Sequence, residues 1–501
     1  TELDHVVGQQ AFTMAKNGRA WPDVILDSRK ESLRQPLARG RGQRVNDVLV
    51  ITKPDVKDVC PAQSENRRIG LAAFAGTFGT SIAIHGFTVL QGVIVARLLG
   101  PLGRGEYATV ILWPSVFAAI GILGTNIALA RAAAKIHRPD PVFRTAIVLA
   151  GATSIISATL CYCCIPYLLP DAEAHLLRLA RLFVPFIILN HLGLNLQAVD
   201  QGAGNFKRFN LTRMLLYPVY VAFLVAMWVY DVRQVAWAAV GLLVANAAVV
   251  VVRLILALKD MSLRGPLYSP AQTLRESVRF GLVGAAQPLY LHADKAILLW
   301  LLGAENLGLY VVALSASAAI GSITSSAGMV SFTMAAQAGP GQGFERIART
   351  FRISALLWLI FGGILAVAMG LLLPLIYGRE FAAAVNPARL LIVGSAFGGL
   401  ANLLDQALRG QGRAFVGFEG RIVGLAAMVA AGIVLSSWFG LPGMCLAYAV
   451  GQGICLAFFL WRLLAHYGRR IDAIGSLIVG WNDVRYIVSR GRTPFVRVAA
   501  R

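Results

Sequence analysis

Two stretches of this 501-residue chain share one pattern: VARLLGPLGRGEY, residues 95–107, and LLWLLGAENLGLY, residues 298–310. In each, Leu-Leu-Gly is followed by a second glycine and then a tyrosine, at a constant offset of 203 residues between the two copies. A second pair, Gly-Ala-Gly at 202–204 and Gly-Gln-Gly at 410–412, repeats at an offset of 208. Two ordered matches at nearly equal offsets indicate an internal duplication.

The residues around these motifs are those of a membrane protein. The chain is 57% hydrophobic and 14% charged, whereas soluble domains carry roughly 25% charged residues. A membrane-spanning helix needs about 20 mostly apolar residues, and such stretches recur from Leu71 to Tyr467. We therefore predict an all-α polytopic membrane protein with about twelve spans, at 71–96, 107–130, 145–168, 178–199, 213–230, 234–258, 280–302, 307–335, 353–376, 387–408, 422–438 and 441–465.

The positive charges lie in the short connections between the apolar stretches. The net charge is +21, a value that in a soluble protein would suggest nucleic-acid binding. Here the connections on one side hold 18 Lys and Arg residues and those on the other side hold 7. The positive-inside rule explains this asymmetry better than nucleic-acid binding does. It predicts a cytoplasmic (inner) membrane protein with both termini in the cytoplasm.

The duplication predicts five regions. Residues 1–68 form a polar cytoplasmic leader with 12 basic and 9 acidic residues, expected to be disordered. Two six-helix lobes, 69–260 and 280–467, flank a cytoplasmic connector at 261–279. The tail, 468–501, is basic and forms either an interfacial amphipathic helix or a plain polar segment. Because six is even, the repeats run parallel and enclose a central cavity, the geometry of an alternating-access transporter.

The first hairpin resembles a known family. The run VARLLGPLGRGEYATVILWPSVFAAIGILGTNIALARAAAK, residues 95–135, is similar to the first hairpin of the polysaccharide-branch flippases of the multidrug/oligosaccharidyl-lipid/polysaccharide superfamily. The segment HADKAILLWLLGAENLGLYVVALS, residues 292–315, resembles the opening of that family's second half, and LRGQGRAF, residues 408–415, adds a weaker match. The long leader departs from the family pattern.

This resemblance implies a function. Its members export O-antigen, capsule and exopolysaccharide repeat units, so the implied substrate is an oligosaccharide on undecaprenyl diphosphate, flipped towards the periplasm without ATP hydrolysis by the chain. Expected partners are membrane lipid, a polysaccharide polymerase and a chain-length regulator, with no nucleic acid and no cofactor. Neither the sugar composition nor a coupling ion follows from the sequence.

Polar faces on the first span of each half predict the cavity lining. His85 and Gln91 follow helical spacing on span 1 among three hydroxyl residues, and Gln287, Tyr290 and Asp294 share one face of span 7. The alternative for the hydroxyls is hydrogen bonding to their own helix backbone. Buried charge in a membrane is costly, so we predict that His85 and Asp294 are functional.

Asp294 is the candidate for ion coupling. Desolvation of a buried carboxylate favours binding of a proton or Na⁺. The alternative is a fixed ion pair with an arginine of the first lobe. The adjacent Lys295 points about 100° away around the helix, so we expect no pairing between Asp294 and Lys295.

Cationic side chains near span ends are candidates for the substrate diphosphate, because the guanidinium fork binds phosphate oxygens bidentately. They are Arg131, Arg144, Arg181, Arg253 and Lys295. Anchoring at the cytoplasmic surface is the alternative for Arg131, Arg144 and Arg253, whereas Arg181 and Lys295 lie on the outward side.

Acidic residues near the cytoplasmic ends suggest a gate. Asp200 follows span 4, and Asp405 and Arg409 end span 10. We predict that acidic and basic residues of opposite lobes close the cytoplasmic mouth here. An intrahelical pair between Asp405 and Arg409 is the alternative.

The sequence favours transport over catalysis. It contains no Walker A, HExxH or Gly-x-Ser-x-Gly motif, and no metal-ligand spacing. A membrane polymerase or ligase needs a large outer loop, whereas the outer loops here have roughly 5 to 12 residues. A small-cation exporter of the same superfamily should bury more acidic residues than Asp294 and Asp405. A flippase for the peptidoglycan precursor resembles the first hairpin less.

Overall fold

The computed structural model of the protein describes residues 61–136, 138–169, 174–284, 286–318, 328, 331 and 343–468. The described residues from Asn66 to Gly468 belong to one compact unit. Its described elements are helices: α1 (Pro61–Gly121), α2 (Thr125–Ala134), α3 (Asp140–Leu168), α4 (Ala174–Leu182), α5 (Pro185–Gly202), α6 (Phe206–Val229), α7 (Val235–Leu258), α8 (Pro270–Gly284), α9 (Ala286–Ser317), α10 (Gly343–Tyr377), a 3₁₀ helix (Arg379–Ala384), α11 (Val385–Gly410), α12 (Ala414–Phe439) and α13 (Leu441–His466). The predicted all-α polytopic class is confirmed.

Ten helical stretches of the described residues are long and apolar enough to cross a membrane, against about twelve predicted. The difference lies in the two hairpin motifs. The stretch Gly79–Gly121 contains most of predicted spans 1 and 2, and Ala286–Ser317 contains most of span 7 and the start of span 8. At 1.5 Å per residue, the 43 residues of the first stretch would measure about 65 Å as one straight helix, twice the thickness of the hydrocarbon core.

A glycine kink divides each of these two helices. Gly100 has φ 68° and ψ −176°, and Gly303 has φ 78° and ψ −179°, so the backbone leaves the helical conformation at equivalent positions of the two repeats. Residues with a Cβ adopt this conformation only at a steric cost. The first helix resumes at Pro101, a residue favoured at the first position of a helix. The matched kinks support the internal duplication inferred from sequence.

Two predicted spans are broken. Span 2 was expected to run without interruption over 107–130, but α1 ends at Gly121 and α2 begins at Thr125, with positive φ values at Leu123 and Gly124. Span 4 was expected over 178–199, but α4 ends at Leu182 and α5 starts at Pro185, whose nitrogen has no hydrogen to continue the helix. Hydropathy alone does not detect such breaks, because the residues at them are as apolar as their neighbours.

The apolar cores follow the two halves of the sequence in most of the molecule. One buried cluster draws its members from residues 129–261 and another from residues 344–464. A third, at the hairpins, combines Ala96 and Ala108 of the first half with residues of the second. The division into two six-helix lobes stays a prediction. Most of the predicted leader and nearly all of the predicted tail lie outside the described residues, and α1 already begins at Pro61.

Candidate functional site

The two hairpin motifs pack against each other. A Cβ on Gly105 would overlap the carbonyl oxygen of Ala304 and lie 3.0 Å from the backbone nitrogen of Gly308. Reciprocally, a Cβ on Gly308 would overlap the carbonyl oxygen of Pro101. Pro101 and Ala304 are themselves related by the 203-residue offset. The contact is therefore a local twofold arrangement of the two repeats, with backbone on backbone and no room for a side chain.

Further contacts join the two halves at the same end, which we call the hairpin end (residues 97–107 and 300–310). Arg97 donates through Nε to the carbonyl of Ile376 at 2.7 Å, and its second donor reaches the carbonyl of Leu375. Trp300 donates to the carbonyl of Leu168 at 2.8 Å and stacks on Trp113, with 5.9 Å between ring centroids. The hairpin end is thus closed by backbone packing, hydrogen bonds and aromatic stacking.

A polar cavity lies at the opposite end, which carries the basic connections and which we call the basic end. Its volume is about 300 Å³, and three helices of the second half, α9, α11 and α12, line it. The polar lining side chains are Gln287, Asn402, Gln406, Arg409 and Arg421. The structure thereby brings together Gln287, predicted as cavity lining, and Arg409, predicted as part of a gate.

Asp405 holds two guanidinium groups at this cavity. Its side chain is completely buried and accepts from Arg409 Nε at 2.9 Å and from a terminal nitrogen of Arg421 at 2.8 Å. Gly417 makes the approach possible, because a Cβ there would overlap the Asp405 carboxylate. The intrahelical Asp405–Arg409 pair is formed, and both arginines belong to the same half as Asp405. Among the described residues, no partner of Asp405 comes from the other half.

Asp200 likewise finds its partner in its own half. Arg208, on the next helix, lies 2.6 Å from the Asp200 carboxylate and also donates to Asp260 at 2.8 Å. At both acids the arginine partners that the structure describes lie in the same half of the sequence, and a gate between the halves stays a prediction. The physical reason is proximity: an arginine across a short loop reaches the carboxylate, and a buried charge requires a close partner.

Asp294 is the centre of a third polar cluster. Only 1% of this residue is exposed, and its carboxylate accepts from the Tyr310 hydroxyl at 2.9 Å and from the Lys295 backbone nitrogen at 2.8 Å. Lys295 Nζ lies 3.2 Å from the same carboxylate and donates to the carbonyl of Leu291. The expectation that Asp294 and Lys295 would not pair was wrong, because the long lysine stem bends back along the helix.

Two of the predicted substrate arginines are occupied by protein groups. Arg144 makes four hydrogen bonds of 2.7–2.9 Å to the carbonyls of Ser262, Arg264 and Pro266 in the inter-lobe connector. Arg253 is buried and donates to Thr212, to the Gly193 carbonyl and to Gln197. Both arginines are therefore left out of the site proposed below.

The other predicted cavity residues do not share one site. The Arg181 guanidinium lies over the Tyr162 ring, with its Cζ 4.9 Å from the ring centroid, and Arg131 and His85 are exposed. Tyr290 is buried beside Gly424, and Gln91 is half-buried. Ser81 and Thr88, two of the hydroxyl residues on predicted span 1, donate to backbone carbonyls one helical turn earlier. These bonds are the alternative given above for the hydroxyl residues.

The sequence analysis did not predict Arg421, Gln406 or Tyr310 as site residues, although Tyr310 belongs to the repeated motif. One signal could have found Arg421. Asp405 precedes the turn at 411–413 by about two helical turns, and Arg421 follows it by about the same distance. Residues at equal distances from a tight turn between antiparallel helices face each other.

Arg144→Gln is expected to loosen the connector between the halves. The substitution removes charge-assisted hydrogen bonds, each contributing about 1.5–3 kcal/mol, and leaves three carbonyls without their donor. Limited trypsin digestion in detergent should cut at Arg264 about tenfold faster than in the wild type. The exposed Arg138→Gln serves as control. Equal cutting rates in all three proteins would show that Arg144 does not hold the connector.

The fold and these clusters define a polytopic membrane protein of two related halves, closed at the hairpin end and with a polar cavity at the basic end. The chain belongs to the polysaccharide biosynthesis protein family, whose family model matches residues 75–338. This match confirms the resemblance drawn from residues 95–135 and 292–315. A comparison with curated protein sequences finds no match.

Solved structures share the fold. The lipid II flippase MurJ, in an inward closed conformation, is 12% identical, with a TM-score of 0.65 over 85% of this chain and 93% of that one. An inward-facing multidrug resistance MATE family transporter of the MOP superfamily is 15% identical, with a TM-score of 0.63 over 76% of this chain and 94% of that one. A MOP superfamily transporter from Pyrococcus furiosus is 13% identical, with a TM-score of 0.54 over 79% and 95%.

Proposed function

We propose that this chain is a flippase that moves oligosaccharide repeat units linked to undecaprenyl diphosphate across a bacterial cytoplasmic membrane, for export of O-antigen, capsule or exopolysaccharide. The observation that carries the proposal is the membership of the polysaccharide biosynthesis family, in a chain with the fold of a lipid flippase. The role is transport, and no catalytic step is assigned to the chain.

The distribution of openings supports this function. Flipping requires that a polar headgroup reach a hydrated path from one side while the other side is closed. Here a cavity with two arginines opens at the basic end, and the glycine contact and hydrogen bonds close the hairpin end. A cationic lining suits an anionic lipid headgroup better than it suits an organic cation.

The orientation follows from charge. With the basic end in the cytoplasm, both termini are cytoplasmic, and the cavity faces the leaflet in which lipid-linked saccharides would be loaded. A polymerase and a chain-length regulator would act on the product at the other face. The substrate residues proposed are Gln287, Arg409 and Arg421, with Arg181, Lys295, Tyr290, Gln91, His85 and Arg131 retained as proposed contacts at other stages of transport.

Asp294 is proposed to couple transport to an ion. The carboxylate lies on helix α9 before the kink at Gly303, and its partner Tyr310 belongs to the second hairpin motif. Binding of a proton or Na⁺ would weaken the attraction to Lys295 and change the position of Tyr310. Coupling between ion binding and hairpin movement requires such a shared element.

The test is a flipping assay in proteoliposomes. The purified chain is reconstituted with lipid-linked saccharide from a strain that makes the matching polysaccharide, and an impermeant glycosidase measures the exposed fraction. Protein-dependent exposure above that of empty liposomes supports the flippase. If no exposure occurs with or without an ion gradient, while an organic cation is transported, the chain is a small-molecule exporter of the same superfamily.

Asp294→Asn is expected to lower gradient-driven flipping about tenfold or more, because the amide keeps the shape but cannot bind a proton or Na⁺ as the carboxylate does. Passive exposure without a gradient should change less. The control is Asp231→Asn, which alters an exposed carboxylate paired with exposed Arg233. Unchanged gradient dependence in Asp294→Asn would contradict the coupling role.

A further inference from the structure

The cavity at the basic end has the chemistry of a phosphate site. Apart from Gly417 and Phe418, its lining residues are polar, and among the described residues that line it none is acidic. Two guanidinium groups face one carboxylate, Asp405, so the three side chains together carry one net positive charge. Uncompensated positive charge in a partly enclosed site attracts an anion.

Each of the two guanidinium groups has nitrogen donors that it does not use on Asp405. Arg409 uses Nε on Asp405, which leaves both of its terminal nitrogens, and Arg421 uses one terminal nitrogen. In the described part of the chain, the buried Nε of Arg421 has no hydrogen-bond partner. Guanidinium groups pair bidentately with phosphate oxygens.

Asp405 makes this arrangement rigid. A completely buried carboxylate that accepts from both arginines fixes their orientation before any ligand arrives, which reduces the entropy lost on binding. Gln287, from helix α9, adds an amide from a third helix. Two adjacent guanidinium groups and amide donors suit a diphosphate better than a single carboxylate.

An apolar surface adjoins the cationic cavity. Phe418 lines it, and the Phe418 ring lies 5.5 Å from that of Phe415, whose side chain is exposed near the start of α12. A ligand that combines a phosphate group with a hydrocarbon chain would contact both surfaces. Free inorganic phosphate would use only the polar one.

We propose that this cavity is a loading subsite for the diphosphate of a lipid carrier, bound by Arg409, Arg421 and Gln287, with Phe415 and Phe418 against its hydrocarbon chain. The proposal rests on the proposed function and extends it by placing the headgroup in the second half, before translocation. Asp405 acts as a positioning residue. It holds the arginines and does not contact the ligand.

Binding is tested on the purified full chain in detergent, with inorganic pyrophosphate and undecaprenyl diphosphate as separate probes. We expect Arg421→Gln to weaken both probes about tenfold or more. Gln287→Leu, which leaves the Asp405 ion pairs intact, should weaken both a few-fold, and Phe415→Ser should weaken only the lipid. Arg462→Gln, an arginine paired with Glu419 outside the cavity, is the matched control and should bind both probes as the wild type does.

The outcomes separate the site from the function. Wild-type affinity in Arg421→Gln and Gln287→Leu overturns the subsite, even if the protein flips its lipid. Equal affinity for the two probes, insensitive to Phe415→Ser, overturns the assignment to a lipid carrier in favour of a free phosphate compound. Probe binding that depends on Arg421, in a wild-type protein that fails the flipping assay, keeps the subsite and removes the proposed function.

Discussion

Gly105→Ala is expected to reduce flipping to a few per cent of the wild type. The added methyl group would overlap the backbone carbonyl of Ala304, which cannot rotate away as a side chain can. Overpacking costs about 1–3 kcal/mol in protein interiors, and a clash with backbone lies at the upper end. A free-energy change of about 1.4 kcal/mol alters an equilibrium constant tenfold. A clash that costs about 3 kcal/mol would therefore lower the equilibrium constant for closing the hairpin end about a hundredfold.

The same change should open the hairpin end. A cysteine introduced at Leu102, which is exposed beside the contact, should become more reactive towards an impermeant thiol reagent added from the hairpin side. Gly92→Ala on the same helix is the matched control, because a Cβ there meets nothing within 4 Å. Gly308→Ala should also reduce flipping and open the hairpin end, because its added methyl group would overlap the carbonyl oxygen of Pro101. Wild-type flipping in Gly105→Ala would show that the glycine contact is not part of the transport cycle.

Asp405→Asn is expected to produce the largest loss of stability among single substitutions at the basic end. The carboxylate is the acceptor for two guanidinium groups, and its loss leaves them adjacent and without the countercharge. Removing one partner of a buried ion pair costs about 3–5 kcal/mol. Thermal unfolding in detergent should show a transition lowered by several degrees, together with loss of pyrophosphate binding.

Glu419→Gln provides the comparison. Glu419 pairs with Arg462 at 2.8 Å, but both side chains are about a third exposed, and exposed pairs contribute about 0–1 kcal/mol. The unfolding temperature of Glu419→Gln should therefore stay close to that of the wild type. Combining Asp405→Asn with Arg421→Gln should recover part of the stability, because it removes the charge left unpaired. An Asp405→Asn protein as stable as Glu419→Gln would refute the view that Asp405 holds the two arginines together.

The membrane-spanning stretches were largely readable from the sequence, because they depend on local quantities. The length of an apolar stretch and the charge of its flanks determine whether it spans and in which direction. The breaks at 122–124 and near Val184 were not readable, because they replace one apolar helix by two and leave the hydropathy unchanged. The kinks at Gly100 and Gly303 lay in a motif that was found, although its geometry was not predicted.

The candidate site was predictable in part. Gln287, Asp405 and Arg409 were singled out by polarity within apolar helices, and they lie at or beside the cavity. Arg144 and Arg253 were singled out by the same criterion, yet their donors serve protein carbonyls and hydroxyls. Polarity marks a residue that needs a partner, and it does not say whether that partner is protein or ligand.

The sequence by itself determined the class of the molecule: an all-α membrane protein of duplicated halves, with its basic connections on one side. These properties follow from composition, periodicity and a repeat, all of which can be read from the order of the residues. Tertiary structure alone decided that Gly105 meets Ala304, that Asp294 bonds Tyr310 and that Asp405 gathers two arginines. Each of these contacts joins separate helices, and its geometry depends on how those helices pack, which no local pattern specifies.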